Sequence, residues 1–199
     1  MLKIFEMAGV AFFSLAGGIE AERKGMDLVG ITVIAFITAL GGGTLRDILL
    51  DRHPLFWTQN PDYSLIILAM AVLAALIKRF KPLPLTDRAV LVPDAFGLGF
   101  FTATGVAVSF DSGFAPFIGV FMGVVTATFG GVLRDIACNE VPVIFKRGQL
   151  YATCSFLAGL AFWACHAFGA GRPSCLLICI LTALVIRLLA VRYDISLPA

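Results

Sequence analysis

Two stretches hold the side chains with most chemistry to offer: Gly41-Gly42-Gly43-Thr44-Leu45-Arg46-Asp47 and Gly130-Gly131-Val132-Leu133-Arg134-Asp135. Each places an arginine and an aspartate just past a glycine cluster, inside a long apolar run. Even on lenient scales a charged side chain at the centre of a membrane helix costs about 2.5–3.5 kcal/mol. Arg46, Asp47, Arg134 and Asp135 therefore need partners. Successive helical residues point about 100° apart, which argues against Arg46 satisfying Asp47. The expected pairs run across the two stretches, Arg46 with Asp135 and Arg134 with Asp47. Such pairs serve as a clamp, adjoin an ion path, or offer an arginine and a carboxylate to a small amino acid. Hydroxyls lie nearby at Thr38, Thr44, Thr126 and Thr128, with Ser14, Thr102 and Thr104 on other apolar runs. Hydroxyl and carbonyl oxygens suit a weakly held, partly dehydrated alkali cation, so these seven are read as polar residues lining a path. The competing reading is that each hydroxyl bonds back to its own helix.

The medium around these residues is lipid. Hydrophobic residues form 59% of the 199-residue chain and charged residues 14%, with a mean hydropathy of +0.95. Soluble domains carry roughly 25% charged residues. A net charge of +2 with no basic stripe excludes nucleic acid as a partner. A membrane helix needs about 20 largely apolar residues. Seven runs qualify as spans, at about residues 4–19, 28–50, 63–77, 93–110, 114–138, 150–168 and 173–191. The first lacks a basic leader and a small-residue cleavage site, so it reads as a retained span.

The runs are organised by a duplication. Arg134 lies 134 − 46 = 88 residues after Arg46. At that offset Thr38, Gly42, Gly43, Leu45, Arg46, Asp47 and Pro54 fall on Thr126, Gly130, Gly131, Leu133, Arg134, Asp135 and Pro142. Gly9, Phe12, Phe13 and Gly17 likewise fall on Gly97, Phe100, Phe101 and Gly105, and acidic Glu6 on acidic Asp94. The expected domains are a first three-helix repeat at 1–81, a linker at 82–92, a second repeat at 93–169, and a seventh helix with tail at 170–199. Three spans per repeat is odd, so the second copy enters the membrane from the opposite side. The charges agree: Arg23, Lys24, Lys78, Arg79, Lys81, Arg88, Lys146, Arg147 and Arg192 flank one side, and only Lys3, Arg52 and Arg172 the other. Positive residues favour the cytoplasm, which places the N-terminus outside and the C-terminus inside. The fold class is all-α and integral to the membrane, two inverted three-helix repeats plus a seventh helix. Many transporters use such a duplication, with the permeant site between the repeats.

Glycine in a helix interior costs about 1 kcal/mol relative to alanine. Clusters at Gly41, Gly42 and Gly43 and at Gly130 and Gly131 therefore need a reason. They let helices two and five approach closely, or they bend those helices and free carbonyls near Ala39 and Ala127 toward a wet path. The bend is the expectation adopted, and the two readings can coexist. Phe12, Phe13, Phe100 and Phe101 match between repeats as packing residues or an apolar constriction. No catalytic constellation, phosphate loop or metal-ligand spacing occurs, so neither an enzyme nor a cofactor is expected. The five cysteines, Cys138, Cys154, Cys165, Cys175 and Cys179, read as free buried thiols.

The doubled Gly-Gly-x-Leu-Arg-Asp motif in helices two and five of an inverted three-plus-three-plus-one array resembles the TRIC family, the trimeric intracellular cation channels, in its prokaryotic branch. The resemblance covers essentially the whole chain. It implies a homotrimer in the cell membrane of a bacterium or archaeon, with one pore per protomer lined by bent helices two and five. The implied permeant ions are monovalent cations, chiefly potassium, with sodium also passing, and membrane lipids are the surrounding partners. Animal members carry a lysine–glutamate motif and bind phosphoinositide at the trimer centre; Arg-Asp stands here instead, so that site is not transferred. Movement of glycine or a related small amino acid is linked to closely similar bacterial proteins and stands as the alternative.

Overall fold

The computed structural model describes residues 1–80, 87–146, 150–193 and 195. Seven α-helices follow in order: α1 Leu2–Arg23, α2 Leu28–Leu49, α3 Pro61–Phe80, α4 Asp87–Asp111, α5 Pro116–Ala137, α6 Ala152–Ala167 and α7 Arg172–Tyr193. Among the described residues between α5 and α6 lies a 3-10 turn, Val143–Phe145. By length and composition α1, α2, α4, α5 and α7 can each cross a membrane, while the described apolar parts of α3 and α6 are shorter. Residues 81–86 of the expected linker lie outside the described residues, and α4 is already helical from Asp87. So do the side chains of Lys78, Arg79, Lys81, Arg88 and Arg147, which the orientation argument used.

Local chemistry sets the ends of the helices. Asp27 caps α2 by accepting from Gly30 N at 2.8 Å. Pro116 starts α5, where its missing N–H costs nothing. The duplication extends into these turns. Gly25 and Gly113, at matched positions after α1 and α4, take φ of +74° and +77°, a conformation that glycine adopts without strain. Asp51 and Asn139, again matched, turn the chain after α2 and α5 at φ of 49° and 56°.

The core is a four-helix group of α1, α2, α4 and α5, each packed on the others, with α3 against α1 and α2, α6 against α5, and α7 against α4 and α6. Across the α1–α4 face Phe12 stacks on Phe96 at 4.8 Å and Phe13 on Phe101 at 5.2 Å. These phenylalanines are packing residues. Lys3 pairs with Asp62 at 3.1 Å at one end of α1, and Lys24 pairs with Glu140 at the other. Those two ends lie about 30 Å apart at 1.5 Å per residue, the thickness of a bilayer core.

At the centre α2 and α5 cross antiparallel, both helical without interruption through their glycines. A Cβ on Gly42 would lie 2.0 Å from Thr126 O, and one on Gly130 would lie 2.2 Å from Thr38 O. Close approach is thus one role the glycines fill. Because the obstacle is backbone, it cannot swing aside. Gly42→Ala and Gly130→Ala should each destabilise the protein by about 1–3 kcal/mol, the range for overpacking. Gly171→Ala, where the nearest atom would be 3.7 Å away, should not. Thermal unfolding of the detergent-solubilised protein separates the two cases; equal melting temperatures would contradict the close-packing role.

Two matched ion clusters

Beyond the crossing each helix carries its arginine into a buried cluster. At the end of α2, Arg46 donates from Nε to Asp47 Oδ1 at 2.8 Å and from Nη1 to Glu6 Oε1 at 3.1 Å. Its Nη2 makes a 2.8 Å ion-pair contact with Asp47 Oδ1. Asp47 Oδ2 accepts from Phe56 N at 2.8 Å, and Tyr63 donates to Glu6 Oε2 at 3.3 Å. At the end of α5, Arg134 donates from Nε to Asp135 Oδ1 and from Nη1 to Asp94 Oδ1, both at 2.9 Å. Asp135 Oδ2 accepts from Val143 N at 2.9 Å. Each aspartate therefore holds both its arginine and the loop that follows its helix.

The expected cross-pairs, Arg46 with Asp135 and Arg134 with Asp47, are not formed. Both arginines lie about six residues beyond an antiparallel crossing, on opposite sides of it, which separates them by roughly 15–20 Å. The objection to neighbouring pairs concerns where Cβ points. A guanidinium on a long, flexible stem folds back and meets the adjacent carboxylate side-on. The clamp survives in another form: each pair binds its own repeat together, helix two to helix one.

The polar residues expected along a path are brought to the same core. Ser14, Thr38, Thr102, Thr104, Thr126 and Thr128 are all buried. Their hydroxyls donate to carbonyls of their own helices, Thr38 to Ile34 O at 2.7 Å and Thr126 to Met122 O at 2.5 Å among them. Thr102 also meets Ser155 Oγ at 2.7 Å. Thr44 differs, accepting from Trp57 Nε1 at 3.0 Å. Matched Gly17 and Gly105 face Thr38 and Thr126: a Cβ would fall 2.4 and 2.6 Å from their hydroxyl oxygens. All five cysteines are free and buried.

Several site residues escaped the sequence reading. Glu6 and Asp94 were seen as a repeat match, yet not as the arginines' partners. Tyr63 and Tyr151 went unnoticed, although 151 − 63 gives the same 88-residue offset. Arg187, also set inside an apolar run, is 1% exposed on α7. It donates to Leu150 O at 3.0 Å and lies 4.9 Å over the Tyr151 ring.

Beside the α5 cluster opens a cavity of about 390 Å³, lined by Arg134 and Asp135 with Arg23, Lys24, Glu140, Val143 and Lys146 among others. Its rim is tied by Lys24, at the end of α1, to Glu140, with Lys146 3.8 Å from the same carboxylate.

This geometry defines an inverted-repeat membrane protein with paired ion clusters about a glycine crossing, and solved structures share its fold. It aligns with a TRIC trimeric intracellular cation channel orthologue from Rhodobacter sphaeroides at TM-score 0.90 and 36% identity, over 98% of each chain. A second TRIC cation channel aligns at TM-score 0.86 and 31% identity, over 99% of this chain and 96% of that one. Among curated relatives, a UPF0126 membrane protein of Vibrio cholerae is 35% identical over all of this chain and 82% of its own length. The UPF0126 inner membrane protein YadS of Escherichia coli is 34% identical over 97% and 93%. The chain belongs to the family whose model is described as "Glycine transporter", matched twice, at residues 3–79 and 91–167. Those starts differ by 91 − 3 = 88 residues, the spacing of the duplication. It is an integral membrane protein of TRIC architecture.

Two measurements test the clusters. Removing one partner of a buried pair strands a charge, so Glu6→Gln and Asp94→Asn should each destabilise by about 3–5 kcal/mol. Arg52→Ala, which removes an exposed guanidinium 3.5 Å from an Asp47 already held by Arg46, should change stability by about 0–1 kcal/mol. Equal effects in thermal unfolding would contradict the assignment. At the rim, the hydrogen bond from Lys24 holds the Glu140 carboxyl below its ordinary range, and the same bond raises Lys24. The clasp is therefore complete at neutral pH. It is lost as pH falls through the lowered Glu140 value or rises through the raised Lys24 value. A carboxyl-carbon NMR titration of Glu140 should give a midpoint below 4.5, moving up in Lys24→Met. A midpoint unmoved by that substitution would contradict the clasp.

Proposed function

We propose that the chain is a cation channel permeable to potassium, working as a homotrimer with a path inside each protomer along α2 and α5. The observation that carries this reading is the node at the crossing. There Thr38 and Thr126 meet glycines through both carbonyl and hydroxyl oxygens, deep in the membrane core. Each hydroxyl spends its proton on its own helix, leaving oxygen lone pairs to face a dehydrated cation. Toward each end of that node, two buried carboxylates accompany one arginine, Glu6 and Asp47 with Arg46, then Asp94 and Asp135 with Arg134. The aligned structures are of proteins described as cation channels, which supports the same reading.

No ion fits where a Cβ would lie 2.0 Å from a carbonyl oxygen. Conduction therefore requires α2 and α5 to part, and bending at Gly41–Gly43 and Gly130–Gly131 is the motion the sequence provides. Orientation follows the distribution of basic residues, N-terminus outside and C-terminus cytoplasmic, in the cell membrane of a bacterium or archaeon. No step of this function calls for catalysis.

A second reading, movement of glycine or another small amino acid, is favoured by the family's description and by the cavity that reaches Arg134 and Asp135. Liposome assays separate the two. Under the channel reading, protein in liposomes collapses a potassium gradient without saturation, and Asp47→Asn or Asp135→Asn lowers that flux severalfold while the trimer persists. Saturable glycine uptake, abolished by Arg134→Ala and unaccompanied by potassium flux, would replace the channel with a transporter.

A further inference from the structure

The halves match so closely that their differences carry information. In the α2 cluster Phe56, whose N–H holds Asp47, lays its ring 5.3 Å from the Arg46 guanidinium carbon and caps Gly43, where a Cβ would lie 2.5 Å from the ring. Arg46 is fully enclosed, at 0% exposed. The residue whose N–H holds Asp135 is Val143. Val143 is smaller than Phe56, and although Arg134 is only 4% exposed, the 390 Å³ cavity reaches it and Asp135.

The second difference is one methylene. Glu6 gives one oxygen to Arg46 and the other to the Tyr63 hydroxyl. Its counterpart Asp94 is shorter and meets Arg134 alone. The Tyr151 hydroxyl is buried, in a residue 3% exposed, and has no hydrogen-bond acceptor among the described residues. Arg134 uses Nε on Asp135 and Nη1 on Asp94, and Nη2 takes part in neither bond, just as Arg46 Nη2 makes no hydrogen bond in the closed cluster. Gly131 lies between these donors: a Cβ there would sit 3.0 Å from Tyr151 Oη and 3.7 Å from Arg134 Nη2. Tyr151 lacks the oxygen that Glu6 supplies to Tyr63, and the cavity reaches Arg134 and Asp135 of the same cluster.

We infer that the α5 cluster binds a small oxyanion, the carboxylate of a small solute or an inorganic ion of like shape, with Tyr151 Oη and Arg134 Nη2 as donors. An unfilled buried hydroxyl is costly, and an ionised acceptor makes the stronger bond to it and to a guanidinium. The nearby acids are each engaged by a cation. Asp135 and Asp94 are turned to other nitrogens of Arg134, while Glu140 and Glu20 are engaged by Lys24 and Arg23. Arg23, Lys24 and Lys146 line the way in. The inference goes beyond the channel reading and does not need it, because equilibrium binding is measured without flux.

The test uses the full chain in phosphatidylcholine nanodiscs with ¹³C-acetate or ¹³C-bicarbonate as probe, read by saturation-transfer NMR. Wild type should show saturable transfer with at least one probe. Acetate alone would identify the source as an organic carboxylate, bicarbonate alone as an inorganic ion, and both the shared chemistry. Tyr151→Phe removes only the unpartnered hydroxyl, breaks no existing bond, and should raise Kd at least threefold. Val143→Phe restores the lid of the other repeat and should abolish transfer. Tyr63→Phe, in the closed cluster, should leave Kd unchanged. Absence of saturable transfer in wild type, or transfer of equal Kd in wild type and Tyr151→Phe, would overturn the site.

Discussion

The fold hangs on one steric constraint, the contact of backbone on backbone where α2 and α5 cross. Thr38 O lies 2.2 Å from where a Cβ of Gly130 would be, and Thr126 O 2.0 Å from where a Cβ of Gly42 would be. Only hydrogen fits at either glycine. Lipid offers helices no hydrophobic drive to associate, so packing at such points is what holds them. The same contact brings four oxygens to the membrane centre without adding a charged group there. One arrangement thus joins the repeats and, on the proposed channel reading, closes the path and supplies the atoms an ion would meet.

The ion clusters complement this centre by staying away from it. Placing Arg46 and Arg134 beyond the crossing, each sealed by acids of its own repeat, lets the repeats move relative to one another without parting a buried pair. A bridge between repeats would have opposed that motion. Asp47 and Asp135 also tie down the loops through Phe56 N and Val143 N, so each arginine is held by α1 or α4 and by the loop together.

Much of this was legible in the sequence. The 88-residue offset located both clusters, both glycine groups and the helix order, because duplicated residues constrain one another however apolar their surroundings. The partners of the arginines were misassigned for a definite reason. Helical-wheel logic treats a side chain as a vector at Cβ and misses the reach of a guanidinium. Arg187 was invisible for a different one: its role depends on α7 meeting the second repeat, and no periodicity encodes that contact, whereas Tyr151 carried a signal in its 88-residue match to Tyr63. The asymmetry between Phe56 and Val143 also hides from alignment, since the two loops differ by one residue between the aspartate and the N–H that holds it.

The central claim is that this crossing is a passage for cations. Single-channel recording of the purified protein in a planar bilayer under a potassium chloride gradient, with glycine added, tests it most directly. The account predicts discrete unitary currents that reverse near the potassium equilibrium potential and ignore glycine. Currents reversing at the chloride potential, or a silent bilayer from protein that takes up glycine saturably, would contradict it.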